Sequence, residues 1–234
     1  MREHVLLRLR IWLADRPGAL GQLTREIGAS GADIVQVSVL SRERGRALDE
    51  ITVFVPEEDR RAGLERSLRA LNNATVEGIR PSGEVPGAFP DLDLLGRVAA
   101  DPRATLAILA DALPRILAAD WAVVIRAGVP APLAASWDAP REPVLPNLPA
   151  RAATMSVGTS RYACAPLGPD REAQQPVLVV VCRIGDPPFH RFEVLRLTRI
   201  AEVAAAIAGS RLLPRGEPAA RGAAPRDQAA PSAS

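Results

Sequence analysis

Along residues 1–80 the hydrophobic pattern switches repeatedly between two periods, and the order of those switches restricts the fold more than any other feature of the chain. Val5, Leu7, Leu9 and Ile11 alternate with Leu6, Arg8, Arg10 and Trp12, the period-two signature of a half-buried strand. Leu20, Leu23 and Ile27 then recur at helical spacing until Gly28-Ala29-Ser30-Gly31 stops the pattern. Asp33 to Ser41 predicts a second strand, SRERGRA an arginine-rich turn around Gly45, and Leu48 to Val55 the hairpin partner. Pro56-Glu57-Glu58-Asp59 sets acids at the start of a second helix, where the dipole favours them, and Leu64, Leu68 and Leu71 form its apolar stripe. Thr75 to Ile79 is a last short strand. The order is β-α-β-β-α-β. Right-handed crossovers fold that order into a four-stranded antiparallel sheet with both helices on one face, a ferredoxin-like α+β unit.

Beyond residue 80 the pattern changes. PSGEVPGAFPD (81–91) concentrates Pro, Gly and Ser as a linker does, a second patterned region runs over 92–213, and the tail 214–234 lacks periodicity and is expected to be disordered. Asp101-Pro102 caps a helix whose Leu106, Leu109, Leu113, Ile116 and Leu117 share a face, with Pro114 positioned to kink or end it. Trp121 to Ile125, Arg161 to Leu167 and Pro176 to Ile184 predict strands, the last buried on both faces, and 128–153 is a Pro-rich irregular stretch. A terminal helix follows, with Leu197, Ile200, Ala204 and Ile207 in one stripe. The second region is therefore an α+β domain with its helices on one side of a sheet.

The junction LADRPGAL is the candidate site. Asp15 is placed to cap the helix, Pro17 presets its backbone angle, and Gly18 admits conformations closed to other residues. The first amides of the helix stay unsatisfied behind a glycine that cannot block them, which makes a seat for a small carboxylate such as that of an amino acid. A tight turn with a good cap explains the same residues without a ligand.

With DRPGAL after its first strand and GADIVQVSV entering its second, the β-α-β-β-α-β unit resembles the ACT domain family over about residues 3–80. That resemblance implies a regulatory module that binds amino acids where two domains pair. By position it nominates Asp15, Arg16, Pro17, Gly18, Ala19 and Leu20, with Asp33, Ile34 and Val35 opposite. Many relatives carry Asn where this chain has Asp33; an acid there holds an ammonium and repels a carboxylate. The second region, from DPRATLAILADALPRILAADWAVV to the terminal helix, resembles a GAF-like sensor domain. That resemblance implies a small-molecule pocket between the sheet and the loops after the second strand.

Other residues carry less. Arg8, Arg10 and Glu50 fall on neighbouring strands and are expected as an exposed ion pair, or else as a partner contact on the sheet face the helices leave open. Trp12 is expected to pack at the rim or core. Cys164 and Cys182 sit in apolar strands and are expected to pack as small hydrophobes; two cysteines make no disulfide framework. His4 and His190 are far apart, and with two Cys they fit no zinc spacing, so neither a metal nor a cofactor is expected. His190 and Glu193 share a helix face that is expected to be an exposed helix start, and Ser160 and Tyr162 have no base beside them. No nucleophile elbow or phosphate-binding glycine loop is present.

All 29 basic residues are Arg, which follows the richness in Ala, Gly and Pro, and at a net charge of +2 they form neither a nucleic-acid nor a membrane patch. No signal-like opening or 18-residue apolar run occurs, so a cytoplasmic protein is expected. The resulting expectation is a non-catalytic, amino-acid-sensing homodimer. A ligand-free dimerisation or protein-interaction module is the other reading.

Overall fold

The computed structural model describes residues 5–56, 59–82, 89–129, 131–169 and 175–212. The tail, His4, Glu57, Glu58 and most of the expected linker lie outside them. The first unit contains β1 (Val5–Ala14), α1 (Ala19–Ala29), β2 (Asp33–Glu43), β3 (Arg46–Val55), α2 (Asp59–Arg69) and β4 (Ala74–Pro81). Its sheet order is β2-β3-β1-β4 with every neighbour antiparallel, the ferredoxin-like arrangement that the pattern of periods dictates. Leu7, Leu9, Ile11 and Leu13 project from β1 onto the helix side, where they meet Leu23 and Ile27 of α1 and Leu64 and Leu68 of α2. Leu20 is 37% exposed and does not join them: it starts the helix on the side facing away from the sheet. Arg44 and Gly45 take positive φ of 51° and 73° between paired Glu43 and Arg46, the two-residue hairpin geometry that a glycine at Gly45 favours.

The second unit contains α3 (Pro90–Ala100), α4 (Thr105–Ile116), β5 (Trp121–Arg126), β6 (Ala134–Ala135), β7 (Ala153–Val157), β8 (Ser160–Pro169), β9 (Pro176–Ile184) and α5 (Arg191–Ala208). Asp101 caps a 3-10 turn over Pro102–Ala104 that runs directly into α4, and Pro114 is accommodated in the final turn. The antiparallel sheet has the order β6-β5-β9-β8-β7. One face carries Val124, Leu167, Val179 and Val181 against Val98, Leu109, Leu113, Leu197 and Ile200 of the helices. The other carries Trp121, Tyr162, Cys164, Val180 and Cys182, covered by Leu145, Leu148 and Met155 from the Pro-rich stretch and β7. That cover explains why VLVVV is apolar on both faces: β9 is central in a sheet packed on each side. Strand β6 arises inside the stretch expected to be irregular and β7 at its end, and both are held by pairing, to β5 and β8, rather than by their own periodicity. Both cysteines are buried and free, and burial pushes the Cys182 thiol up to about 11.

The two sheets meet across the open face of the first. There Arg8 and Arg10 are 8% and 2% exposed, so the expectation of a solvent-exposed ion pair fails. Pro187, Pro188 and the start of α5 cover what the helices leave bare, and a Cβ on Gly78 would overlap the Pro187 ring.

Candidate functional site

The turn after β1 is solvent-facing. Gly18 is the N-cap residue of α1 at φ 86° and ψ −13°, a left-handed conformation that glycine adopts without penalty. No side chain caps the helix. Asp15, expected in that role, lies in the strand-end ladder instead: its amide donates to the Gly45 carbonyl at 2.9 Å, and its carboxylate lies 3.9 Å from Arg42. Three residues ahead of the cap position, its side chain is engaged with the β2–β3 hairpin. The Gln22 amide is the first to donate back, to the Gly18 carbonyl at 3.2 Å, and the Ala19 amide donates to Arg16 at 3.3 Å. By helix geometry the Leu20 and Gly21 amides have no intrahelical acceptor. Asp15, Arg16, Pro17 and Gly18 are exposed, Ala19 is buried, and nothing lies within 4 Å of a Cβ built on Gly18.

Beneath this turn lies a residue the pattern reading missed. Asp49 pairs with Ile11 and so shares its helix-side face, yet it is 4% exposed and its Oδ1 has no hydrogen-bond partner. Burial pushes its carboxyl above the ordinary range; Arg42 opposes the shift and Asp15 adds to it. The Ser41 hydroxyl is likewise buried without a partner. The signal was an acid at a core-facing position in the alternation of β3.

Asp33, Ile34 and Val35 are not beside the turn in the same chain. Asp33 pairs with Phe54, which pairs with Leu6 near the start of β1, whereas the turn follows Ala14. At about 3.4 Å per strand residue the two groups are roughly 27 Å apart. Strand β2 is an edge, and Val35, Val37 and Val39 on it are 39%, 39% and 50% exposed.

A second constellation lies between the sheets. Glu193 accepts from Arg183 at 2.7 Å through Oε1, and its Oε2 lies 2.9 Å from Arg10 Nη2. Arg10 also bonds Glu50 at 2.9 Å and donates to the Pro188 carbonyl at 3.0 Å. Arg183 donates to the carbonyls of Leu117 and Pro187 at 2.6 and 2.8 Å and lies over the Phe189 ring. Burial alone would raise the Glu193 pKa, but Arg183 and Arg10 outweigh it and hold the carboxylate below its ordinary range. Glu193 and His190 form a reciprocal cap on α5, with the His190 amide donating to Glu193 at 2.7 Å. The expected exposed helix start is therefore a buried ion-pair node, because the first unit's sheet covers it. Trp12 is half-buried on this same face under Arg46, at the rim.

In the second unit a pocket of mixed polarity, about 490 Å³, opens between the sheet and the loop after β6, lined by Ile125, Val129, Leu145, Leu148 and Leu178, with Asn147 its one polar side chain and exposed backbone groups supplying the rest of its polar surface. Among the described residues, no group of three or more His, Cys, Asp or Glu side chains could hold a metal ion, and no helix is long and apolar enough to cross a membrane.

The model of the ACT domain family matches residues 7–73, from β1 to the residue before β4. Residues 7–73 are an ACT domain. The crystal structure of the ACT domain from GTP pyrophosphokinase of Chlorobium tepidum is 20% identical and covers 34% of this chain and 99% of its own, with a TM-score of 0.28. A putative glycine cleavage system transcriptional repressor is 7% identical over 87% of this chain and 92% of its own, at 0.31. A formyltetrahydrofolate deformylase from Pseudomonas putida KT2440 is 13% identical over 87% and 94%, at 0.28. No curated protein matches the sequence.

Proposed function

We propose that the chain is a non-catalytic, cytoplasmic regulatory protein whose ACT domain binds an amino acid at a site completed by a second copy. The carrying observation is the pairing of bare helix amides at the Gly18 turn with a buried, unpartnered Asp49 oxygen below it. The amides suit an α-carboxylate and the acid suits an α-ammonium. Antiparallel pairing of two β2 edges about a twofold axis extends the sheet and brings the partner's Asp33–Val35 end to the turn, a gap one chain cannot close. The exposed valines of β2 are the surface such pairing covers.

The second unit is proposed as a GAF-like domain. Its sheet flanked by helices on one face and its pocket after β6 support that reading, and the pocket suits a small molecule with both apolar and hydrogen-bonding groups. Asp33 supports a second reading, in which the turn is empty and the ACT domain only pairs or docks a protein partner.

A thermal-shift screen of the full chain against the twenty amino acids separates the two. Ligand at about 100 times its dissociation constant adds roughly 2.7 kcal/mol to the native state. A shift by one or two amino acids that is lost in Asp49→Asn supports the sensor. A flat screen with an intact dimer supports the empty module.

A further inference from the structure

A groove of about 370 Å³ lies where the ACT domain meets the second unit, walled by Arg80 and Pro81 from the end of β4, by the last turn of α4, and by the loop after β6. Its volume falls in the range of small-molecule sites. Trp137 on its rim is 96% exposed, an indole left in water with no packing partner, although large aromatic side chains are ordinarily well buried.

The charges around the groove resolve into committed and uncommitted groups. Arg80 is held by Asp120 at 2.8 Å and donates to the Ile184 carbonyl at 2.9 Å, and Asp120 also accepts from the Ile184 amide at 2.7 Å. Asp111 is paired with Arg97 at 3.2 Å. Arg115 and Asp138 remain, one of each sign, and neither makes a hydrogen bond or ion pair with a described residue.

From this we infer that the domain junction holds a second ligand site, for a zwitterion with a flat apolar side chain: an aromatic amino acid. Arg115 takes the carboxylate through its planar fork, Asp138 takes the ammonium, and the ring lies on Trp137 with Pro81 and Pro114 as walls. The overall neutrality of a zwitterion matches the uncommitted pair. A phosphate group would bring more negative charge than the one uncommitted cation, Arg115, can balance beside Asp138, so a nucleotide is disfavoured. Because β4 supplies one wall and α4 the other, an occupant contacts both units and tightens their docking.

The test is calorimetry and tryptophan fluorescence on the full chain with L-phenylalanine, which does not emit with tryptophan, and with phenethylamine and 3-phenylpropionate, which each lack one charge. The expected result is saturable binding of L-phenylalanine with a blue shift in emission that is absent in Trp137→Leu. Affinity should fall at least tenfold in Arg115→Gln and in Asp138→Asn, and at least tenfold for either analogue. All three side chains are exposed and make no hydrogen bond or ion pair with a described residue, so these variants fold, while Asp49→Asn leaves junction binding unchanged. The proposal is overturned if L-phenylalanine does not bind, if both analogues bind equally well, or if binding disappears in Asp49→Asn and survives in Arg115→Gln.

Discussion

At the end of β1 the turn from Asp15 to Gly18 stands in solvent with helix amides bare. A few residues earlier on the same strand, Arg10 is sealed between two sheets with every nearby charge engaged. The turn is unsatisfied and accessible, which suits a ligand site. The Arg10 node is ion-paired and inaccessible, which suits a joint, although the Arg10 Nε itself makes no hydrogen bond among the described residues. One strand thus connects a place where something can bind to the place where the second unit is held.

The contrast can be attacked first at the joint, where effects should be largest. Removing the shared carboxylate in Glu193→Ala leaves buried Arg183 without its carboxylate and Arg10 with Glu50, and breaking such a pair costs about 3–5 kcal/mol. Urea unfolding should show that loss. An effect below about 1 kcal/mol would mean that the node is solvated in solution. Next is Gly78→Val, which forces a side chain into the Pro187 ring. A cost of about 1–3 kcal/mol by thermal unfolding is expected, with the ACT domain's own sheet intact by circular dichroism.

Acidification attacks the same node reversibly. Glu193 has a folded pKa below its unfolded value, so its contribution is complete above the unfolded pKa near 4.3 and is lost as pH falls through the depressed folded value. Stability measured against pH should therefore hold through neutrality and fall below about pH 4, with a smaller acid dependence in Glu193→Gln. At the turn, Gly18→Ala meets no neighbour but must hold a positive φ, so about 1–2 kcal/mol is expected from backbone strain alone. The smallest effect belongs to Arg69→Ala, which removes an exposed helix ion pair with Glu65 and should change stability by no more than about 0.5 kcal/mol.

These ranks also separate what was legible in the sequence. The ferredoxin-like unit was readable because periods of two and 3.6 are local, and the turn was readable because Gly18 and Pro17 declare their backbone needs. The burial of Arg8 and Arg10 was not, since it depends on Pro187 and Glu193, far along the chain, and period-two alternation assigns arginines to water. Asp49 was passed over although it alternates in step with Ile51, Val53 and Val55, since its burial is completed by pairing with Ile11 across the sheet. Strands β6 and β7 were hidden for the same reason, as short segments that become strands by pairing.

Whether the chain has the proposed amino-acid site, shared between two copies, is most directly tested by mixing two damaged proteins. One carries Asp49→Asn beneath the turn and the other Val35→Arg on β2, where a long side chain fills the partner's half of the site, and amino-acid binding is measured by calorimetry before and after subunit exchange. If the site spans a twofold interface, neither variant binds alone, and exchange restores about a quarter of the sites, one per mixed dimer. Silence after verified exchange, or full binding by either variant alone, would contradict a site shared between two ACT domains.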